Sequence, residues 1–316
     1  VVVAAALMVL AVPSWWRLGL VAVVVSQALV IYAWPDAKAG TLPNLVLALA
    51  VLGGWADARF ERATDAAVRQ LYAEPVRPPG PAVTADEVAA LPPPVARWLT
   101  QAGVVGRPRA HALRLRQRGG LRTEAGAKFM PATAEQYFDL ERPGFVWSVD
   151  VTMKKVIPVR GRDASLDGRG AMRIAIAGLV PLVDAAGPAI DQGALLRFLA
   201  ELVWCPSAAL APYLTWAPVD DHAADATLTW AGVTVTGRFT FEDGRVIGFA
   251  ARRYLGGGAD AKLEDWWAPM TAWARFDGIE VPVRGSVVWK LAAGDFDYFQ
   301  WEVTALEYDR RARFAR

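Results

Sequence analysis

The sequence predicts an α+β protein, with apolar transmembrane helices at the amino terminus and then a large, curved, antiparallel β-sheet, half-barrel-like, packed on one or more helices. Three observations carry this expectation. The first fifty-six residues are almost wholly apolar, and Arg17, Asp36 and Lys38 fall between hydrophobic runs rather than inside them. From about residue 108 the hydrophobic period changes from 3.6 to 2. Finally, Asp243-Gly244 and Asp277-Gly278 stand between strand-like runs. Such dipeptides adopt the positive φ values of tight hairpins, which makes the strands they join antiparallel.

The apolar runs are 1–12, 18–34 and 42–56. A spanning helix wants roughly 20 apolar residues and accepts about 17, so the middle run meets the requirement and the outer two fall short. Trp15, Trp16, Trp34 and Trp55 lie at run ends, where an indole keeps its ring in the headgroup layer and its N–H wet. A secretory signal peptide would show one short apolar core, a small-residue cleavage site and then a polar mature chain. Three runs in succession instead predict membrane-spanning helices over 1–56, the first being the tail of a longer helix. Arg17 and the group Arg59, Arg62, Arg69 and Arg77 then share one side, while Lys38 on the other is offset by Asp36. The positive-inside rule predicts a multi-pass protein of the bacterial inner membrane with its carboxyl-terminal domain in the cytoplasm.

Composition narrows the function classes. The 316 residues are 54% hydrophobic and 21% charged, leaving roughly 230 beyond the apolar leader, enough for one large domain or two small ones. A net charge of +2 gives no global field toward nucleic acid, which is excluded as a partner. One cysteine, Cys205, makes no internal disulfide and suits a reducing compartment. With two histidines besides, the chain has no basis for a zinc site of Cys and His, and neither metal nor cofactor is expected.

Residues 57–74 keep a helical rhythm, with Phe60, Ala63, Ala67 and Leu71 on one stripe, and read as an amphipathic continuation of the third apolar helix. Arginines there are attracted to anionic lipid by about 1 kcal/mol each. Pro75, Pro78, Pro79 and Pro81, with Gly80, place a linker at 75–83, so that 57–83 is juxtamembrane and 84–316 is the β-rich domain. Thr84 and Glu87 have the spacing of a capping box. After Pro92, Pro93 and Pro94, a second helix puts Val95, Trp98, Leu99 and Ala102 on one face, and Gly103 stops it. These helices, over 84–103, are expected to cover the entrance to the sheet.

Leu113 and Leu115 alternating with Arg114, Arg116 and Arg118 begin the strands. Further runs are 129–140, 145–153, 171–177, 226–230, 233–241, 246–254, 272–276, 280–291 and 296–308. One helix interrupts them at 191–203, capped by Asp191, with Leu195, Phe198, Leu199 and Leu202 as its buried stripe and Arg197 and Glu201 one turn apart on another face. Some strands are apolar on both sides: Phe296 and Tyr298 point opposite to Phe299 and Trp301. The second face of the sheet is therefore either covered or lines a cavity.

Candidate chemistry is sparse. His111 and His222 have no recognisable nucleophile elbow to serve, so no histidine-based catalytic set is assigned. Asp139 with Glu141 and Asp295 with Asp297 are explained by hairpin polarity. DASLDGRG at 163–170 lacks the spaced ligands and distal glutamate of a calcium loop and reads as a turn. The glycines at 256–258 lack a following phosphate-loop lysine and read as a flexible hairpin loop. Alternate members of the row Arg107, Arg109, Arg114, Arg116, Arg118 and Arg122 project from one strand face. Arg114, Arg116 and Arg118, with Arg197 and Glu201, are the candidates for contact with an anionic surface or a protein partner. The plain alternative is a solvated sheet face whose arginines pair with acidic side chains. Ten tryptophans in the β-rich part suit a large core, and equally the walls of a hydrophobic pocket. Trp147, Trp230, Trp289 and Trp301 are the candidate ligand-binding residues.

The segments GRGAMRIAIAGLVPLVDAAGPAIDQGALLRFLAELVWCPSAAL at 168–210, GRFTFEDGRV at 237–246 and VVWKLAAGDFDYFQWEVTALEY at 287–308 resemble a family of uncharacterised bacterial membrane-associated proteins. The resemblance spans about 91–309 and implies a bacterial protein without importing an activity. The strand order is also similar to that of periplasmic lipoprotein carriers, which implies a curved sheet wrapped around helices and a lipid cavity. The leading expectation is a membrane-anchored module that binds a lipid or other hydrophobic small molecule. A filled-core interaction protein is the second. The third is a hydrolase, which two converging carboxyls in a cleft, one with a raised pKa, would mark.

Overall fold

Apolar runs of valine, leucine and alanine, charged only at Arg17 in the first turn, form Trp15–Tyr32 (α1) and the start of Thr41–Leu71 (α2), and a helical turn at Trp34–Ala37 with a 3₁₀ turn at Lys38–Gly40 reverses the chain between them. The computed structural model describes residues 14–75, 78 and 81–315. The predicted run 1–12, together with Arg77, Pro79 and Gly80, lies outside the described residues. Glycines set how closely α1 and α2 approach. A Cβ at Gly19 would stand 2.6 Å from Val51, and one at Gly54 would stand 2.7 Å from the Trp15 ring. Asn44 Nδ2 donates to Gln27 Oε1 at 3.0 Å, and Gln27 Nε2 donates to Thr41 Oγ1 at 3.3 Å, so the polar groups are satisfied within the pair. Both Trp15–Tyr32 and the run Trp34–Leu71 are long and apolar enough to cross a membrane, a property that an anchor shares with a signal sequence.

Thirteen strands form one sheet: β1 (Ala112–Leu121), β2 (Met130–Asp139), β3 (Gly144–Met153), β4 (Ile157–Leu166), β5 (Arg169–Ile176), β6 (Val180–Ala186), β7 (Leu214–Asp220), β8 (Ala223–Trp230), β9 (Val233–Glu242), β10 (Arg245–Leu255), β11 (Lys262–Phe276), β12 (Ile279–Leu291) and β13 (Gly294–Tyr308). The order is β6-β5-β4-β3-β2-β1-β13-β12-β11-β10-β9-β8-β7, antiparallel throughout. First and last strands pair in the middle, so two arms of hairpins grow outward and end in the open edges β6 and β7. The sheet curls, bringing Gly257 of the β10–β11 loop beside Ala185 of β6. The architecture is the expected α+β, half-barrel-like sheet.

The concave face holds the main core, built with α3 (Ala85–Ala89), α4 (Pro93–Ala102) and α5 (Pro188–Glu201). The Thr84–Glu87 capping box forms as the spacing predicts. Trp98 of α4 packs on Phe239, Phe241 and Trp216. The two helices thus fill one part of the concave face and do not cover the cavity described below, since none of their described residues lines it. On the convex face, Ala56, Phe60, Thr64, Val68 and Leu71 of α2 are buried, and Val68 and Leu71 join Tyr137, Val146, Ala164 and Phe314 in a second cluster. Thr64 and Val68 turn inward where Ala63 and Ala67 were expected. A row spaced by four from Ala56 presents the bulkier side chains, and the Thr64 hydroxyl is satisfied by donating to the Phe60 carbonyl at 3.1 Å.

Three strands, β4, β6 and β7, were not foreseen, and β11 begins at Lys262 rather than at 272. DASLDGRG contains the end of β4, the Asp167-Gly168 turn and the start of β5. The α5 helix starts earlier than expected. Gly187 is its N-cap, and Asp191 lies in the first turn, buried, accepting from the Gly170 amide at 2.6 Å and from Arg169 Nη1 at 3.1 Å. Gly170 makes that contact possible, because a Cβ there would stand 2.5 Å from the Ile190 carbonyl oxygen. Gly170→Ala is expected to push the helix off β5 and to cost about 1–3 kcal/mol, read as a lowered Tm.

Candidate functional site

Between the concave face and α5 lies a cavity of about 420 Å³, within the ~300–1,000 Å³ of small-ligand sites. Alternation along β3 turns Trp147, Val149 and Val151 inward, and β4 contributes Val159 and Gly161. A bulge explains why β13 looks apolar on both sides. Val287 pairs with Phe299 and Val288 with Asp297, which leaves Tyr298 as the extra residue, so that both Tyr298 and Phe299 reach the cavity. Four of the five methionines of the chain, Met130, Met153, Met172 and Met270, line it too. Thioether side chains are flexible and adapt to an irregular apolar occupant.

The main polar interruption of the apolar wall is a cluster of charged side chains. Arg197 of α5 donates to Asp163 of β4 and to Glu201 one turn on, each at 2.8 Å. Gln136 Nε2 donates to Glu201 at 2.6 Å. The Arg197 guanidinium also lies over the rings of Trp147 and Phe145 at 4.6 and 5.0 Å. The three charged side chains are only 14–16% exposed. Burial raises the pKa of both Asp163 and Glu201, and the Arg197 charge opposes the rise. Arg253 of β10 is the other cation lining the cavity. Its Nε donates to the Gly193 carbonyl at 3.1 Å, and the guanidinium lies over Trp266 at 5.1 Å.

Of the four tryptophans singled out by sequence, Trp147 and Trp301 line the cavity. Trp289 sits one layer back, stacked on Tyr298 at 6.1 Å, and Trp230 packs edge-on against Tyr213, away from the cavity. Trp204 and Trp266 line it unforeseen. The candidate surface arginines have partners within the chain: Arg114 pairs with Glu307 at 2.8 Å, Arg116 with Glu135 at 3.1 Å and Arg118 with Glu302 at 3.0 Å. Arg197 and Glu201 face the cavity interior instead of the outer surface. His111 Nδ1 stands 3.2 Å from Glu141, and the His222 amide donates to Asp220. No group of three metal-ligating side chains occurs among the described residues.

A family profile matches residues 81–301, which include every residue that lines the cavity. The chain belongs to DUF6544, a family of unknown function. No curated protein matches it. Among solved structures, a DUF1329 family protein from Desulfovibrio piger is similar with a TM-score of 0.40 and 10% identity, over 69% of this chain and 94% of the other. A LolA superfamily protein from Nitrosomonas europaea is similar with a TM-score of 0.36 and 10% identity, over 74% and 96%. A domain ascribed to an outer-membrane lipoprotein-sorting protein of Vibrio parahaemolyticus has a TM-score of 0.37 and 6% identity, over 63% and 86%.

Cys205, within this DUF6544 region, is buried, and burial pushes its thiol up to about 12. A thiol reagent at mildly alkaline pH is therefore expected to leave the folded chain unmodified and to label one site after denaturation. Native labelling at the denatured rate would show that the α5–β7 segment opens.

Proposed function

We propose that this protein is a membrane-anchored module whose half-barrel takes up a lipid or another hydrophobic small molecule. The observation that carries the proposal is the cavity, whose walls are mostly aliphatic, aromatic and methionine side chains, with the Arg197 cluster, Arg253, Gln117 and Thr123 as the polar exceptions. A cavity lined this way favours the transfer of acyl or alicyclic surface out of water, at about 0.8 kcal/mol per buried methylene. Anchoring is supported by α1 and the first half of α2, whose outward aliphatic side chains, among them Leu29, Ile31, Leu42 and Leu49, are exposed. Trp55 at the lower end of the apolar run stacks under Arg59 at 5.6 Å, an arrangement suited to the headgroup layer.

The test is native mass spectrometry of the full chain with extraction and identification of what co-purifies, beside the variant Ala268→Trp, which fills the cavity from β11. One apolar molecule per chain, absent from the variant, is the expected result. An identical apo mass for both after incubation with lipid would sink the proposal.

The second reading, a hydrolase, draws on the convergence of Asp163 and Glu201, both with raised pKa, on one side of the cavity. Under it, Glu201→Gln abolishes turnover of a hydrophobic ester or glycoside. Retained ligand binding with no wild-type turnover of either class would leave the binding module alone.

A further inference from the structure

We infer that the rim of the cavity is a docking surface for an anionic lipid bilayer, which rests on the membrane-anchored reading and adds to it the face that the sheet presents. The lining residues crowd one end of the strands. Leu121 and Met130 flank the β1–β2 loop, Met153 and Val159 flank the β3–β4 turn, and Ile174 and Leu182 flank the β5–β6 turn. The last of these turns touches the apolar hairpin, for a Cβ at Gly178 would lie 3.2 Å from the carbonyl oxygen of Ala56, where the apolar part of α2 ends. The cavity therefore opens at the level where the membrane-compatible helices begin.

The rim has the surface that such a position requires. Val156 at the β3–β4 turn is 79% exposed, and Val180 and Leu182 on the β6 edge are 56% and 53% exposed. Lysines surround them. Besides Lys38, in the hairpin loop, the chain has five: Lys128, Lys154, Lys155, Lys262 and Lys290. All five lie in the β1–β2, β3–β4, β10–β11 and β12–β13 connections or within two residues of them, at the strand ends that carry the cavity. Lys290 pairs with Asp295, whereas the other four form no ion pair among the described residues. The turns at the opposite strand ends are acidic, with Asp167, Asp243 and Asp277. Charge is thus sorted along the strands, positive toward the helical hairpin.

The β3–β4 turn adds an independent sign. Lys154 and Lys155 have φ of 49° and 67°, the left-handed region, where the turns at 167–168, 243–244 and 277–278 use Asp-Gly. Two long basic side chains in that conformation are disfavoured for making a turn. They suit a surface where the ammonium groups meet lipid phosphates while Val156 enters the acyl boundary.

The experiment uses the full chain in vesicles of phosphatidylcholine and phosphatidylglycerol. An environment-sensitive fluorophore is placed by Val156→Cys, by Val180→Cys and, as a control at the opposite strand ends, by Asp243→Cys, with Cys205 protected by burial. The chain is expected to float with the vesicles. Labels at 156 and 180 should be quenched by spin-labelled lipid, and the label at 243 by aqueous iodide alone. Lys154→Glu with Lys155→Glu should reduce the lipid-phase quenching at 156 at least twofold. Iodide quenching at 156 equal to that at 243, in chains that float, would overturn the docking surface and leave the anchor standing. Chains that do not float would overturn both. All the labelled sites are in turns or at an open edge, and an unchanged melting curve for each variant confirms the fold.

Discussion

Arg197→Met is expected to lower the stability of the protein by about 3–5 kcal/mol, because it leaves two carboxylates in an apolar cavity without their common cation. Asp163 and Glu201 both pair directly with that guanidinium, and among the described residues neither forms an ion pair with another cation, the charge of Arg253 acting on both only from farther away. Thermal unfolding should show a fall in Tm of roughly 10 °C, at the ~2–4 °C per kcal/mol typical of a domain this size. The loss should also depend on pH. Burial already raises both carboxyl pKa values above their unfolded values, and losing Arg197 removes the larger of the two charge effects that oppose the rise, leaving that of Arg253. The folded state then binds protons that the unfolded state has released, so stability is fully present below the unfolded pKa values and is lost as pH rises through the folded ones. The variant should therefore be weakest at alkaline pH and recover on acidification, while the wild type changes less steeply with the same sign. Adding Asp163→Leu and Glu201→Met should restore most of the stability, since removing all members of a buried charge cluster is close to neutral where removing one is not. A loss below about 1 kcal/mol would mean that the cluster is screened like a surface pair.

Affinity for a homologous series of fatty acids is expected to climb about fourfold per methylene, from the ~0.8 kcal/mol that each buried methylene contributes. The climb should stop when the chain fills the roughly 420 Å³ available. Displacement of a fluorescent acyl probe from the full chain measures this. Ala268→Trp should end the climb several methylenes earlier, because the indole takes volume from the same space. Affinity independent of chain length would place the probe on the outer surface of α1 and α2. A climb that Ala268→Trp leaves unchanged would place it elsewhere in the fold.

Much of the fold was legible because local chemistry repeated itself. Asp243-Gly244 and Asp277-Gly278 marked their hairpins, and the Thr84–Glu87 box marked the start of α3. The missed strands lack such marks. In β4, IPVRGRDASL breaks alternation with Gly161 and Asp163, whose places are set by the cavity and by Arg197. The edge strands β6 and β7 carry Pro181 and Pro218, which argue against strand in sequence yet are tolerated where one side of the strand is unpaired. The site was less legible than the fold. Arg197 and Glu201 are spaced like a solvated helical pair, and only the tertiary approach of β4 turns them into a buried cluster. Tryptophans were poor guides, because Trp230 and Trp289 serve packing as readily as Trp147 and Trp301 serve the cavity. The better signal was the methionines: Met130, Met153, Met172 and Met270 sit on four different strands and all reach the same space.

The helix α2 runs without a break from Thr41 to Leu71, about 46 Å at ~1.5 Å per residue. Its lower turns are clamped to the sheet, by Arg160 on Asp57 and Glu61 and by Arg313 on Glu61 and Asp65. The proline-bearing linker predicted at 75–83 begins after the clamp, so it does not lie between the apolar hairpin and the turns of α2 that hold the sheet. A helix that is continuous through Ala56 and clamped from Asp57 onward ties the direction of the apolar hairpin to the direction in which the cavity faces.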